Sequence, residues 1–243
     1  MNNKTAIITG AARRIGAAIT RELHNAGMDV ILHFNSSKTA ADNLALELNR
    51  LRPDSAFTIQ SDLKDRNLYA GFVNQAHAIN KRLDVLVNNA SVFYPTPLQD
   101  LAFEQWDEMI NINLTAPLFL AQAAAGYLKA ANGCIINLTD IHADRPLQNH
   151  IAYSISKASL VMLTQSLAKE LAPYIRVNAI SPGAIFWSGY INEKEKTRIL
   201  EKTLLKKQGE GKDIGKAAKY LVFDAGYTTG QVLVIDGGRS LYS

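Results

Sequence analysis

The chain has 243 residues, and 47% hydrophobic against 20% charged residues is the composition of a globular protein with a sizeable core, not of a disordered or fibrous one. Its net charge of +4 is spread along the chain, and the densest basic group, Lys202, Lys206, Lys207 and Lys212, lacks the interleaved aromatics of a nucleic-acid surface, so no nucleic-acid partner is expected. Cys134 is alone, which excludes an intrachain disulfide, and no Cys/His set has zinc-ligand spacing; with no apolar span of about 18 residues and no signal-like N-terminus, a cytoplasmic location without membrane or metal is expected.

From the N-terminus, short apolar runs alternate with segments of helical length. "TAIIT" precedes a helix expected over 15–26, "DVILHF" one over 38–51, "SAFTIQ" one over 67–81, and "RLDVLVN" one over 103–129. "GCIINLT" precedes a helix over 152–171 and "IRVNAIS" one over 212–224, before a last run, "QVLVID". The runs are rich in Val and Ile and almost continuously hydrophobic, as strands covered on both faces are. This predicts an α/β fold, a doubly wound (Rossmann) seven-stranded, mostly parallel sheet with helices on both faces, in one domain over 1–243. Residues 183–211, "GAIFWSGYINEKEKTRILEKTLLKKQGEG", break the rhythm with aromatics and then a charged helical pattern. An excursion of that length is either a functional lid or a disordered loop, and this one leaves from the carboxyl end of a strand, where open α/β sheets bind ligands.

After the first strand comes "TGAARRIG", residues 9–16. A glycine there lets the backbone approach a pyrophosphate, and the next helix offers unpaired N–H groups and its positive dipole end. Alone, the motif also fits a plain β-to-α turn. The second strand ends "HFNSS" where an NAD site normally carries Asp or Glu for the ribose 2′-hydroxyl. With no acid to repel a 2′-phosphate, and with Arg13, Arg14, Ser36 and Ser37 able to bind one, NADP(H) is favoured. The alternative, arginines that merely solvate a helix start, suffers because cations are disfavoured at that end of the dipole.

Tyr153 and Lys157 stand four apart on an expected helix, so both project from one face. An ammonium near a phenol favours the phenolate, and Lys157 is expected to draw the Tyr153 pKa down from about 10 toward neutrality. By itself Y-x-x-x-K also describes a solvated helix face.

The wider context is more specific. "TGAARRIG", "SDL" at 61–63, "NNAS" at 88–91, "NIN" at 111–113, "YSISK" at 153–157 and "SPG" at 181–183 follow one another at suitable spacing, and over essentially the whole chain they resemble the short-chain dehydrogenase/reductase family. Two departures from that family's pattern narrow the likeness. Arg14 takes the place of the middle glycine in TGxxxGxG, and Asp140 stands where the catalytic Ser is usual. With "NNASVFYPTPL" at 88–98, these changes resemble the pteridine reductases and dihydromonapterin reductases within the family.

The resemblance implies NADPH-dependent reduction of a pterin by hydride transfer, a dihydropteridine to the tetrahydro level with dihydrobiopterin, dihydromonapterin and dihydrofolate left open as substrates, in a homotetramer. Arg14, His33 and Ser37 would then hold the adenosine ribose and 2′-phosphate, and Asp62 and Leu63 would flank the adenine. Gly10 and Ile15 in the first turn, Asn89, Ala90 and Ser91, Thr139, and Pro182 with Gly183 would line the rest of the cofactor path, with Tyr153 and Lys157 at the nicotinamide ribose. Phe93 would stack on the pterin beside Ser91, Asp140 and Tyr153, and Asn113 would hold a water leading protons toward Lys157. A pterin presents ring nitrogens, which a carboxyl group serves as partner and proton relay better than a hydroxyl does, so Asp140 would share a proton with Tyr153. Alternatively Asp140 caps the loop after the fifth strand.

Trp187 and Tyr190 either close over the substrate or pack a subunit contact, while His142 and His150 read as loop residues and Cys134 as a buried structural thiol. Two rival functions remain in the sequence: a 3-oxoacyl thioester or other ketone reductase, for which Asp140 is a poor donor, and a non-catalytic NADP(H) sensor, which need not keep Tyr153 and Lys157.

Overall fold

The computed structural model describes residues 4–187, 189 and 191–242. Seven strands, β1 (Thr5–Ile8), β2 (Asp29–Phe34), β3 (Ala56–Gln60), β4 (Val85–Asn88), β5 (Cys134–Leu138), β6 (Arg176–Pro182) and β7 (Val232–Ile235), form one sheet in the order β3-β2-β1-β4-β5-β6-β7. Every pairing is parallel. The near-continuous hydrophobic runs follow from this, because each residue of β1, β2, β4 and β5 is buried whichever face it points to.

Successive side chains alternate between two cores. Ile31, Ile7, Leu86, Ile135 and Val177 lie side by side across five strands and face α3 (Tyr69–Asn80) and α5 (Ala116–Ala131). Their neighbours Leu32, Ile8, Val87 and Ile136 point the other way, toward α1 (Arg14–Asn25), α2 (Lys38–Leu51) and α8 (Gly211–Phe223). Burial of each such side chain is worth about 1.5–3 kcal/mol, so the rows across the sheet dominate stability. On the second face α1 and α8 meet closely at Gly215, where a Cβ would come within 2.9 Å of the Ala18 carbonyl oxygen.

The helix expected over 103–129 is α4 (Phe103–Ile110), a π-turn at Asn111–Thr115, and then α5. The extra residue in that turn carries Asn113 into the interior, at 1% exposure. The long α6 (Ile151–Leu171) bears the Tyr/Lys pair. The excursion between β6 and α8 holds α7 (Glu193–Glu201), whose Asn192 and Glu195 form a reciprocal cap. The excursion is tied down beyond α7, where Leu205 N–H donates to the Gly237 carbonyl (3.0 Å) and Gly209 N–H to that of Ala184 (3.0 Å). No described helix is long and apolar enough to cross a membrane. The strand order reverses beside β1, between β1 and β4, and the carboxyl ends of β1, β4, β5 and β6 carry the residues that follow.

Candidate active site

The turn after β1 is built from close approaches. Gly10 has φ +61°, and a Cβ there would lie 3.0 Å from the Ala90 Cα; a Cβ on Gly16 would sit 2.2 Å from the Gly10 carbonyl oxygen. Asn89 holds the turn from the other side, its Nδ2 donating to the carbonyls of Thr9 (2.8 Å) and Gly10 (3.1 Å). Thr9 Oγ1 in turn accepts the N–H groups of Asn89 and Ala90, each at 2.9 Å. Arg14 adopts φ +52°, the left-handed conformation that glycine accommodates more easily, which explains the family's glycine at this place. Arg13 and Arg14 are exposed, Ile15 packs on the core, and the Arg14 Nη2 donates to the Trp187 carbonyl at 2.6 Å.

His33 lies behind this turn at 2% exposure. Its Nδ1 accepts the Gly10 N–H (3.1 Å), so Nε2 carries the proton and donates to the Ser61 carbonyl (3.0 Å). Burial, outweighing the Ser61 carbonyl and the Asp62 charge, lowers its pKa to about 4. The ring is neutral, and both nitrogens are committed to backbone. Ser36 is exposed, and Ser37 is the N-cap of α2 with no side-chain capping bond. Asp62 accepts the Lys64 N–H, and the Leu63 side chain is in the core.

At the other end Asp140 performs both of the tasks that the sequence leaves as alternatives. Its Oδ1 accepts the His142 N–H at 2.9 Å, capping the short turn Ile141–Ala143, and its Oδ2 accepts the Tyr153 hydroxyl at 2.8 Å. The Lys157 Nζ does not turn to the phenol oxygen but donates to the Leu138 carbonyl at 2.8 Å, lying 5.7 Å from the Tyr153 ring centre. The expected lowering of the Tyr153 pKa is therefore not found. Burial, and then the charge and hydrogen bond of Asp140, raise it well above the ordinary phenol value, because a phenolate here would face a carboxylate in a dry site. Burial pushes the Lys157 ammonium down to about 8, against the opposing pull of Asp140.

Asn113 is saturated within the protein. Its Oδ1 accepts from Ser91 Oγ (3.1 Å) and Val92 N–H (2.9 Å), while its Nδ2 donates to the Val92 carbonyl (3.1 Å) and Ser156 Oγ (3.0 Å). It thus clamps the loop after β4 to α6, which presents Phe93 beside the pair: the Phe93 ring meets Tyr153 edge to face at 4.7 Å and stacks on His150 at 4.8 Å. Thr139 is held to β6 by its N–H and Oγ1, both donating to the Ile180 carbonyl. Gly183 lets β7 come close, since a Cβ on it would lie 2.7 Å from the Asp236 Cα.

One cavity of about 500 Å³ joins the two ends. It reaches from Gly10, Arg13 and Arg14, past Asn89 to Ser91, Pro182 and Gly183, to Phe93, Asp140, Tyr153 and Lys157, under a wall that includes Trp187. Tyr190 lies outside the described residues. His33, Ser36, Ser37, Asp62, Leu63 and Asn113 do not line it. The sequence does not single out Arg239 or the part that His150 plays beside Phe93. His150, read as a loop residue, backs Phe93. Arg239 lines the cavity from the turn after β7, and its place beyond the carboxyl end of a strand was the available signal.

The arrangement offers a glycine-lined groove for an extended anionic ligand and, beside it, a proton shared between a phenol and a carboxylate. A family profile described as enoyl-(acyl carrier protein) reductase matches residues 10–240. Glucose 1-dehydrogenase 2 of Bacillus subtilis is 30% identical over 250 residues, spanning 100% of this chain and 96% of its own. The 3-oxoacyl-(acyl-carrier-protein) reductase FabG of Staphylococcus epidermidis is 32% identical over 241 residues, spanning 97% of this chain and 98% of its own. A solved structure described as a blue fluorescent protein from a metagenomic library in complex with NADPH matches with a TM-score of 0.91 and 33% identity, covering 98% of each chain. Neither curated relative is named for a pteridine. With the fold, the ordered motifs and these likenesses in agreement over nearly its full length, the chain belongs to the short-chain dehydrogenase/reductase family.

Proposed function

We propose that the protein is an NADPH-dependent reductase of pterins, taking a dihydropteridine to the tetrahydro level. The observation that carries this reading is the carboxylate of Asp140 in the place of the family's serine, hydrogen-bonded to Tyr153 at 2.8 Å beside the Phe93 ring.

The residues fit the cofactor. Gly10 and Gly16 keep the turn after β1 tight, since a Cβ on either would collide with Asn89, Ala90 or the Gly10 carbonyl; the end of β2 carries no acid, and Arg13 and Arg14 are exposed in the cavity lining. Arg13, Arg14, Ser36 and Ser37 would bind the 2′-phosphate, with His33 acting from behind by fixing the Gly10 N–H. Asp62 and Leu63 would flank the adenine, Ile15 and Asn89 to Ser91 the middle of the molecule, and Thr139, Pro182 and Gly183 the nicotinamide end. Bound there, NADPH supplies the hydride. The solved NADPH complex with the same fold supports the choice of cofactor.

The protein's own task is the proton. Tyr153 is a neutral phenol held by Asp140 and is the proton donor; burial and Asp140 oppose the phenolate that donation leaves, so the transfer needs a cation beside the pair. The Lys157 ammonium offsets the negative charge left behind. A ring nitrogen that gains basicity as the pterin is reduced is a suitable acceptor.

The names of the curated relatives favour a second reading, a 3-oxoacyl reductase. NADPH oxidation followed with a panel of dihydropterins and with acetoacetyl thioesters separates the two: pterin turnover at least tenfold more efficient supports the first, and the reverse order the second. A homotetramer is part of the proposal, supported by exposed apolar side chains on α4, α5 and α6 such as Phe103, Phe119, Ile155 and Met162, and light scattering reads it directly. The excursion 183–211 is proposed as the substrate lid, with Trp187 on its cavity side.

A further inference from the structure

Arg239 stands where three segments meet. Gly183 allows the end of β6 and the Asp236 turn to touch, and the Gly237 carbonyl accepts the Leu205 N–H at 3.0 Å, so the tail of the excursion closes on the same turn. Gly237 and Gly238, with φ +63° and +80°, bend the chain there. The Asp236 carboxylate holds the bend by accepting the N–H groups of Gly238 (2.8 Å) and Ser240 (2.7 Å), and is thereby committed to its own turn.

Arg239 is half-buried and lines the cavity, as the apolar Ile185 and Ile199 do, and its side chain makes no hydrogen bond or ion pair among the described residues. The cavity lining holds Arg13, Arg14, Lys157 and Arg239 but a single carboxylate, Asp140. Arg13 and Arg14 belong to the turn after β1 and Lys157 to the reactive pair, which leaves Arg239 without a task. A guanidinium fork against apolar side chains binds a planar or tetrahedral oxyanion well, since partial desolvation strengthens the pair and two parallel N–H groups fit two oxygens.

Resting on the pterin reading above, we infer that Arg239 selects substrates whose pterin ring carries an anionic arm, a carboxylate or a phosphate, that runs away from Asp140 toward the turn after β7. Arg239 is then a specificity residue; the reacting ring is handled by Phe93, Asp140 and Tyr153.

The test compares three probes on the intact enzyme: dihydrofolate, whose glutamyl tail carries carboxylates, a dihydropterin with a phosphorylated side chain, and the uncharged dihydrobiopterin. KM is measured with NADPH, and Kd by calorimetry on the NADP⁺-loaded protein, for wild type, Arg239→Gln and Arg239→Lys. Arg239→Gln is expected to raise KM and Kd for one anionic probe about tenfold or more relative to dihydrobiopterin, with Arg239→Lys recovering part of the difference. A shift confined to dihydrofolate assigns a carboxylate arm, and one confined to the phosphorylated probe a phosphate arm. Equal shifts for all three probes overturn the inference alone. In wild type, which needs no variant to fold, raising the salt concentration must weaken the anionic probe more than the neutral one, and equal weakening also overturns it. If wild type neither binds nor reduces any of the three, the pterin reading fails and takes the inference with it.

Discussion

Replacing Asp140 by Asn and by Ala separates the two tasks of its carboxylate. Ala removes the cap on the Ile141–Ala143 turn, worth about 0.5–2 kcal/mol, and strands the buried Tyr153 hydroxyl, worth about 1–3 kcal/mol. The sum is centred near 3 kcal/mol, which for a chain of this size lowers Tm by about 6–12 °C. Asn can keep the cap with its carbonyl oxygen and present its amide to the Tyr153 oxygen, so its cost is about 1 kcal/mol or less. Neither variant retains a titratable group at position 140. Both are expected to lose about 10²–10⁴ in kcat for pterin reduction. Differential scanning calorimetry and single-turnover pterin reduction, with NADPH binding followed by fluorescence, read the two effects apart. A stable Asp140→Asn enzyme with kcat near wild type would show that the carboxylate only caps its turn and that no proton passes through it.

Three further outcomes follow from the same geometry. Arg14→Gly, which relieves a left-handed φ of 52° while removing the proposed phosphate partner, should leave Tm nearly unchanged but narrow an NADPH preference of about tenfold or more in kcat/KM; equal efficiency of NADPH and NADH in wild type contradicts the assignment of the turn. Phe93→Ala should raise the pterin KM, since a stacked ring contributes about 1–3 kcal/mol of binding, and should spare NADPH affinity; loss of NADPH binding instead would make Phe93 a support of the fold. Lys157, with a pKa near 8, is charged below that pH, so kcat/KM should fall as pH rises through about 8, and Lys157→Arg should move that limb beyond the measurable range. A pH profile unaltered by Lys157→Arg counts against the ammonium's part.

Much of this was legible in the sequence. Parallel strands buried on both faces leave unbroken Val and Ile runs, so all seven strands and their class could be read from hydrophobicity. The turn around Gly10 and Gly16 could be read because close backbone approach restricts residue type. The single long helix over 103–129 was the error of element, since a π-turn changes the ladder by one residue without altering the apolar pattern that marks a helix. The lowered Tyr153 pKa was the error of chemistry. Spacing of four placed Tyr153 and Lys157 on one face, but it does not show that the Leu138 carbonyl takes the ammonium or that burial and Asp140 govern the phenol. Likewise nothing local to "DVILHF" marks His33 as a neutral, two-sided brace for the turn, since Gly10 and Ser61 reach it from other strands. Arg239 follows the glycine pair after β7, and only the folded chain brings it to a cavity whose other residues come from the ends of β1, β4, β5 and β6 and from α1, α6 and α7.

The most direct measurement is the ratio of kcat/KM for dihydrobiopterin to that for an acetoacetyl thioester, both with NADPH, in wild type and in Asp140→Ser. A carboxyl group suited to ring nitrogens in the place of a hydroxyl suited to ketones requires wild type to favour the pterin by at least tenfold, and the serine variant to lose that preference through a falling pterin rate. A wild-type enzyme that prefers the thioester, or a serine variant that reduces the pterin as fast as wild type, contradicts the role given to Asp140.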